Sequence, residues 1–199
     1  MSLLDAGLLV AASLVTSFIS AAFGIGGGFT LIALLALLLP PAALIPVHGI
    51  VQLGSNAGRV GIMLKQVVWR PVLPFVIGTV IGASLGAMVV VQLGATGNFI
   101  AAMVKTMNLD PVPHVATHSL MMTFQHLAKV LIFGLIGFQF GPYMILIIGM
   151  LISGFIGTII GSRFLTKAGG RYFKPVLNTI LSLAAARLIW AGVEGLLAL

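Results

Sequence analysis

Six long apolar runs dominate this chain, at about 4–23, 44–65, 71–93, 114–136, 141–165 and 174–198. Each is close to the ~20 residues a helix needs to cross the hydrocarbon of a bilayer. An outer-membrane barrel would instead show segments of roughly ten residues with alternating polarity. Two shorter runs, about 27–40 and 97–108, each follow a glycine-rich break. Composition closes the soluble alternatives. Only 7% of the 199 residues are charged and 60% are hydrophobic, whereas about a quarter of a typical soluble domain is charged. Ten Lys or Arg and three acidic residues cannot coat a globule of this size, which excludes a soluble enzyme, a disordered tail and a coiled coil. The sequence predicts an all-α fold, a polytopic transmembrane helical bundle with glycine-broken short helices.

The net charge of +7 fits Lys and Arg retained in cytoplasmic loops. No basic run or aromatic-basic platform points to nucleic acid as a partner. With no cysteine, disulfides, thiolate metal sites and thiol nucleophiles are excluded. Met1-Ser2-Leu3-Leu4-Asp5 lacks a positive n-region, so the first run reads as a retained span and not as a signal peptide.

A shift of 70 residues aligns the chain with itself. It places Gly24 on Gly94, Gly27 on Gly97, His48 on His118, Asn56 on His126 and Arg59 on Lys129. One inserted residue later, Pro71 falls on Pro142 and Gly86 on Gly157. Chance similarity between apolar helices would not keep polar residues in register. Two copies of one unit are therefore expected, residues 1–93 and 94–199. Arg163, Lys167, Arg171 and Lys174 mark one loop as cytoplasmic, while Lys65 and Arg70 mark the loop that would otherwise correspond to an outer one. Equivalent loops on opposite faces make the units inverted repeats, as in many secondary transporters. The first unit lacks a counterpart of 174–198 and the second a counterpart of 4–23, so two spans, on the order of 50–60 residues, are expected to be absent near Val91-Gln92-Leu93. The alternative is an intact eight-segment protein with diverged units.

Three polar features carry the candidate chemistry. The glycine breaks at 24–28 and 94–98 direct the N–H groups of the following short helices toward a cavity, which suits an anion. Close helix packing also selects glycine. The stripe His48, Gln52, Asn56, Arg59 has spacings of 4, 4 and 3 and so shares one helix face. His118, His126 and Lys129 repeat it, with Met122 in place of the glutamine and with Thr117, Thr123 and Gln125 nearby. Such residues cost several kcal/mol in a span, so the stripe is expected to face the bundle interior. Arg59 and Lys129 lie about two turns from the ends of their runs, where snorkelling to the interface is the competing account. The three acidic residues, Asp5, Asp110 and Glu194, fall in or near termini and loops, and an anionic substrate would supply the counter-charge that Arg59 and Lys129 lack. His48, His118 and His126 are candidates for a coupling proton. His114, beside Pro113, reads as an ordinary buried polar group, and the histidines lack the carboxylate or cysteine that would complete a metal site.

The segments Ala22-Phe23-Gly24-Ile25-Gly26-Gly27-Gly28, Gly94-Ala95-Thr96-Gly97-Asn98 and Val115-Ala116-Thr117-His118 resemble the sulfite exporter TauE/SafE family of bacterial membrane proteins. The small-residue span through Gly157 and Gly161, the basic loop and the final apolar span are similar to that family as well. The resemblance implies export of sulfite, sulfoacetate or a related small sulfur-containing anion across the inner membrane, by a chain longer than this one.

The expected site comprises Gly26, Gly27, Gly28, His48, Gln52, Asn56, Arg59, Gly97, Asn98, Thr117, His118, Gln125, His126 and Lys129. Asn56, Asn98, Gln52, Thr117 and helix N-termini would hydrogen-bond the anion, Arg59 and Lys129 would supply charge, and His118 or His126 would exchange a proton. The expected partners are a small anion and the lipid bilayer, with room for a homodimer, no cofactor and no metal. An anion-selective channel, or a transporter of another small anion, is the alternative. An intramembrane enzyme lacks an activated nucleophile or metal cluster, and a structural subunit leaves the paired cations unexplained.

Overall fold

The computed structural model describes the backbone of residues 2–86, 96–167 and 170–197, with side chains for these except 82–86, 96–99, 187–188, 191–192 and 194–197. The described residues form eight α-helices and no strand: α1 Leu3–Phe23, α2 Gly27–Leu38, α3 Pro41–Met63, α4 Val72–Gly86, α5 Thr96–Lys105, α6 Pro111–Leu135, α7 Met144–Lys167 and α8 Phe173–Leu197. The stretches Leu3–Phe23 and Gly141–Lys167 are long and apolar enough to cross a membrane. Large side chains such as Ile145 at 90%, Leu135 at 87% and Leu37 at 78% exposure point outward, as lipid-facing residues do.

Local sequence sets the helix ends. Ser2 and Asp5 form a reciprocal capping box at the start of α1. Pro41 and Pro111 open α3 and α6 at the position where a missing N–H costs nothing. Gly24 ends α1 at φ 80° and Gly26 precedes α2 at φ 102°. Both are left-handed conformations that a side chain disfavours, which is why the break is glycine.

α1 lies closely against α7. A Cβ on Gly157 would run into the Leu14 carbonyl, and one on Gly161 into that of Phe18. Ser13 donates to the Met150 carbonyl and Ser153 to that of Val10, each at 2.7 Å. Small residues bring the backbones together and hydroxyls tie them across the gap.

The buried apolar side chains form two clusters. One holds Leu9, Leu31, Leu35, Val47, Val51 and Ile147. The other includes Met63, Val104, Val115, Met121, Leu165 and Phe173. Along α3, Gln52, Asn56 and Arg59 occupy the stretch between residues of the two clusters, so a buried polar layer separates them.

α3 and α6 run antiparallel through this layer. His48 meets His126 with ring centroids 5.7 Å apart, Arg59 reaches Ser119 at 3.1 Å, and a Cβ on Gly49 would stand 4.0 Å from that of Lys129. The shift of 70 relates these contacts crosswise. Arg59–Ser119 maps onto Lys129–Gly49, and His48–His126 maps onto His118–Asn56, which line one cavity. The 4.0 Å separation lies inside the ~3.5–4.5 Å range for bridged cysteines. A Gly49→Cys, Lys129→Cys chain, otherwise free of cysteine, is expected to form an intramolecular disulfide under mild oxidation. Faster migration on a non-reducing gel, reversed by reductant, is the readout, and failure to cross-link contradicts this packing.

Candidate functional site

The break between α1 and α2 forms one wall of a cavity of about 50 Å³, which suits a few waters or one small polyatomic ion. Ser20, Gly24, Ile25, Gly26, Gly28 and Phe29 line it from α1 and α2. Gln52, Asn56 and Arg59 face them from α3, and His118 and Met122 from α6.

Arg59 is the central charge, at 1% exposure. Its Nη1 donates to Asn56 Oδ1 at 3.2 Å and to Ser119 Oγ at 3.1 Å, and its Nη2 donates to Ser55 Oγ at 3.3 Å. Ser55 passes the polarity on, donating to Ser17 Oγ at 3.1 Å. A guanidinium carries five N–H donors. Three are thus committed to neutral oxygens, and Nε has no hydrogen-bond partner. Hydrogen bonds to a charged group contribute about 1.5–3 kcal/mol each. They satisfy donors without neutralising the charge, and among the described residues no carboxylate pairs with Arg59. An Nε–H and Nη2–H edge of a guanidinium has the fork shape that suits two oxygens of an oxyanion.

The neighbours are arranged to match. Asn56 Nδ2 donates to the Gln52 backbone carbonyl at 2.8 Å and to Gln52 Oε1 at 3.3 Å. Gln52 Nε2 then lies against Gly28, 3.1 Å from where a Cβ would stand. α2 begins at Gly27, after the N-cap Gly26, and no side chain caps its first turn.

Of the residues expected in the site, Gly26, Gly28, Gln52, Asn56, Arg59 and His118 line this cavity. Gly27 faces the other way, where a Cβ would overlap the Thr16 carbonyl, so its role is packing of α2 on α1. His48 stands behind the wall, its Nε2 2.9 Å from the Gly28 carbonyl. Thr117 is spent elsewhere, its hydroxyl accepting the Val68 N–H at 3.0 Å. His126 is buried against His48, and Lys129 is half-buried beside Gly49, outside the cavity lining. Gln125 is half-buried and also outside the lining. Gly94 and Ala95 of the second break lie outside the described residues, as does the side chain of Asn98, and the backbone of Gly97 and Asn98 lies in the first turn of α5. His114 packs edge-on against Phe173, centroids 5.2 Å apart, away from the site. Ser20, Ser55, Ser119 and Met122 join the site although the sequence did not single them out as site residues. Among the described residues no group of three His, Cys, Asp or Glu is placed to hold a metal ion.

The described residues thus form an all-helical fold with an apolar exterior and a buried cation beside an internal cavity. Residues 9–98 match the model of the family described as Sulfite exporter TauE/SafE, which spans the glycine break and the whole first stripe. No curated protein and no solved structure matches the chain.

Proposed function

We propose that this chain is a multi-pass transporter of a bacterial inner membrane that exports a small sulfur-containing oxyanion. Sulfite, sulfoacetate and similar organosulfonates are the substrate class, and a proton is the coupling ion. The observation that carries the proposal is Arg59, fully buried in a small cavity without a carboxylate and with Nε unpartnered. A fixed protein anion would satisfy that charge permanently, whereas a mobile one leaves it free to bind and release. The family match over residues 9–98 supports the export of sulfite-like anions.

The crosswise relation of the α3–α6 contacts supports an inverted repeat, with the first unit in 1–93 and the second in 94–199. Alternating access then follows from movement of one unit against the other. In proteoliposomes the chain is expected to move sulfite and sulfoacetate faster than chloride, and faster with an imposed pH gradient. Chloride carried as well as sulfite contradicts the substrate class. Flux far above about 10³ per second, the upper end of ordinary catalytic turnover, marks a channel.

A further inference from the structure

The two stripes occupy matching positions but carry different chemistry. Gln52, Asn56 and Arg59 keep one charge state across physiological pH, whereas the second stripe reads Met122, His126 and Lys129. Histidine alone changes charge in the ordinary range of about pH 5 to 8. His126, the counterpart of Asn56, is 2% exposed, and neither of its ring nitrogens has a hydrogen-bond partner. A buried polar ring left unpaired on both nitrogens needs an explanation.

Its surroundings narrow that explanation. The ring stands edge-on to His48 at 5.7 Å between centroids. His48 Nε2 donates to the Gly28 carbonyl, in the first turn of α2, which fixes the tautomer of His48 and leaves His126 the uncommitted member of the pair. The titratable groups acting on His126 are His48 from α3 and Lys129 and His118 from α6 itself. All are cationic when charged, and His126 belongs to no group of metal-ligating residues among those described.

We infer that His126, packed against His48 across the α3–α6 interface, is the binding site of the coupling proton. The inference rests on the anion-transport reading above. The proton adds to the lone pair of the neutral His126 ring, forming one N–H bond and breaking none in the protein. His126 lies one turn beyond Met122, a wall of the anion cavity, or about 6 Å along the helix axis. A bound anion offsets the repulsion that Lys129 exerts on the new charge. Proton and anion therefore strengthen each other's binding by the same factor, as linkage requires. A monoanion and a proton carried together move no net charge.

The test uses methanesulfonate, whose charge is constant over the relevant pH range, and the purified full chain. Wild-type protein is expected to bind it on the order of tenfold more tightly at about pH 5 than at about pH 8, within the usual range of coupling. His126→Asn installs the residue of the first unit, and His126→Gln serves as a second variant. Each is expected to bind methanesulfonate with one affinity at both pH values. Proton uptake by the wild-type chain on binding, followed in weak buffer, is expected to approach about one per anion. Unchanged pH dependence in the variants overturns the assignment and points to His118 or His48. Wild-type binding without pH dependence or proton uptake overturns it while leaving the anion site standing. No binding of methanesulfonate at either pH overturns the anion reading and this inference together.

Discussion

An Arg59→Met chain is expected to remain folded, to unfold at the same or a higher temperature than the parent, and to lose sulfite binding. The side chain keeps its reach and apolar stem but gives up its charge. Three hydrogen bonds are lost with the guanidinium, to Asn56, Ser119 and Ser55. Their loss is offset because an uncompensated buried cation costs several kcal/mol, and replacing buried ionic groups by apolar ones of similar volume is often neutral or stabilising. Ser55 keeps its hydrogen bond to Ser17 Oγ. Binding has no such compensation. Removing one partner of a buried charged pair costs about 2–5 kcal/mol of affinity, which is roughly a 30- to 5,000-fold loss. Thermal unfolding in detergent and titration calorimetry read the two effects separately. A large drop in melting temperature with binding intact would make Arg59 a structural residue.

Gly27→Ala is expected to damage fold and binding together. The added methyl would overlap the Thr16 carbonyl and Ser20 Oγ, and a backbone carbonyl inside α1 cannot move aside. α2 must lift from α1, carrying Gly26 and Gly28 out of the cavity wall. Overpacking of this kind costs on the order of 3 kcal/mol, the upper part of the usual range. Gly28→Ala, one residue on, meets only the amide end of Gln52 at 3.1 Å and should weaken binding with little loss of stability. Gly61→Ala meets nothing within 4 Å and serves as the control. Melting temperatures of the three chains in one detergent should fall in the order Gly61→Ala, Gly28→Ala, Gly27→Ala. Equal temperatures for the first and last would contradict the close approach of α1 and α2.

The helices were legible because bilayer-length apolar runs and proline boundaries leave few alternatives. The run at 4–23 is α1 at Leu3–Phe23, and 114–136 is α6 at Pro111–Leu135. The three polar positions of α3 beyond His48 were legible for the same reason. A spacing of 4 and 3 fixes one face whatever the tertiary contacts, and Gln52, Asn56 and Arg59 do line one cavity. His118, which the shift of 70 places on His48, lines the cavity as well, but the rest of what α6 contributes was not legible from spacing. Met122 faces the cavity while Lys129 does not, because the antiparallel crossing brings the stretch around Ser119, and not the far end of α6, to Arg59. Thr117 escaped for another reason. The backbone beyond the 3-10 turn at Leu64–Gln66 has a donor at Val68 that needs an acceptor, and Thr117 supplies it. Backbone demands of this kind leave no trace in side-chain patterning. The serines that hold Arg59 went unnoticed because hydroxyls are cheap in membrane helices, where they often bond their own backbone.

The Nε–H of Arg59 offers the most direct test of the proposed anion site. In a chain labelled with ¹⁵N-arginine, assigned by comparison with Arg59→Met, that resonance is expected to move and saturate as sulfite is added, while the other arginine side chains hold still. Sulfite binding that reaches saturation with the Arg59 signal unmoved would place the anion elsewhere and contradict the role assigned to this charge.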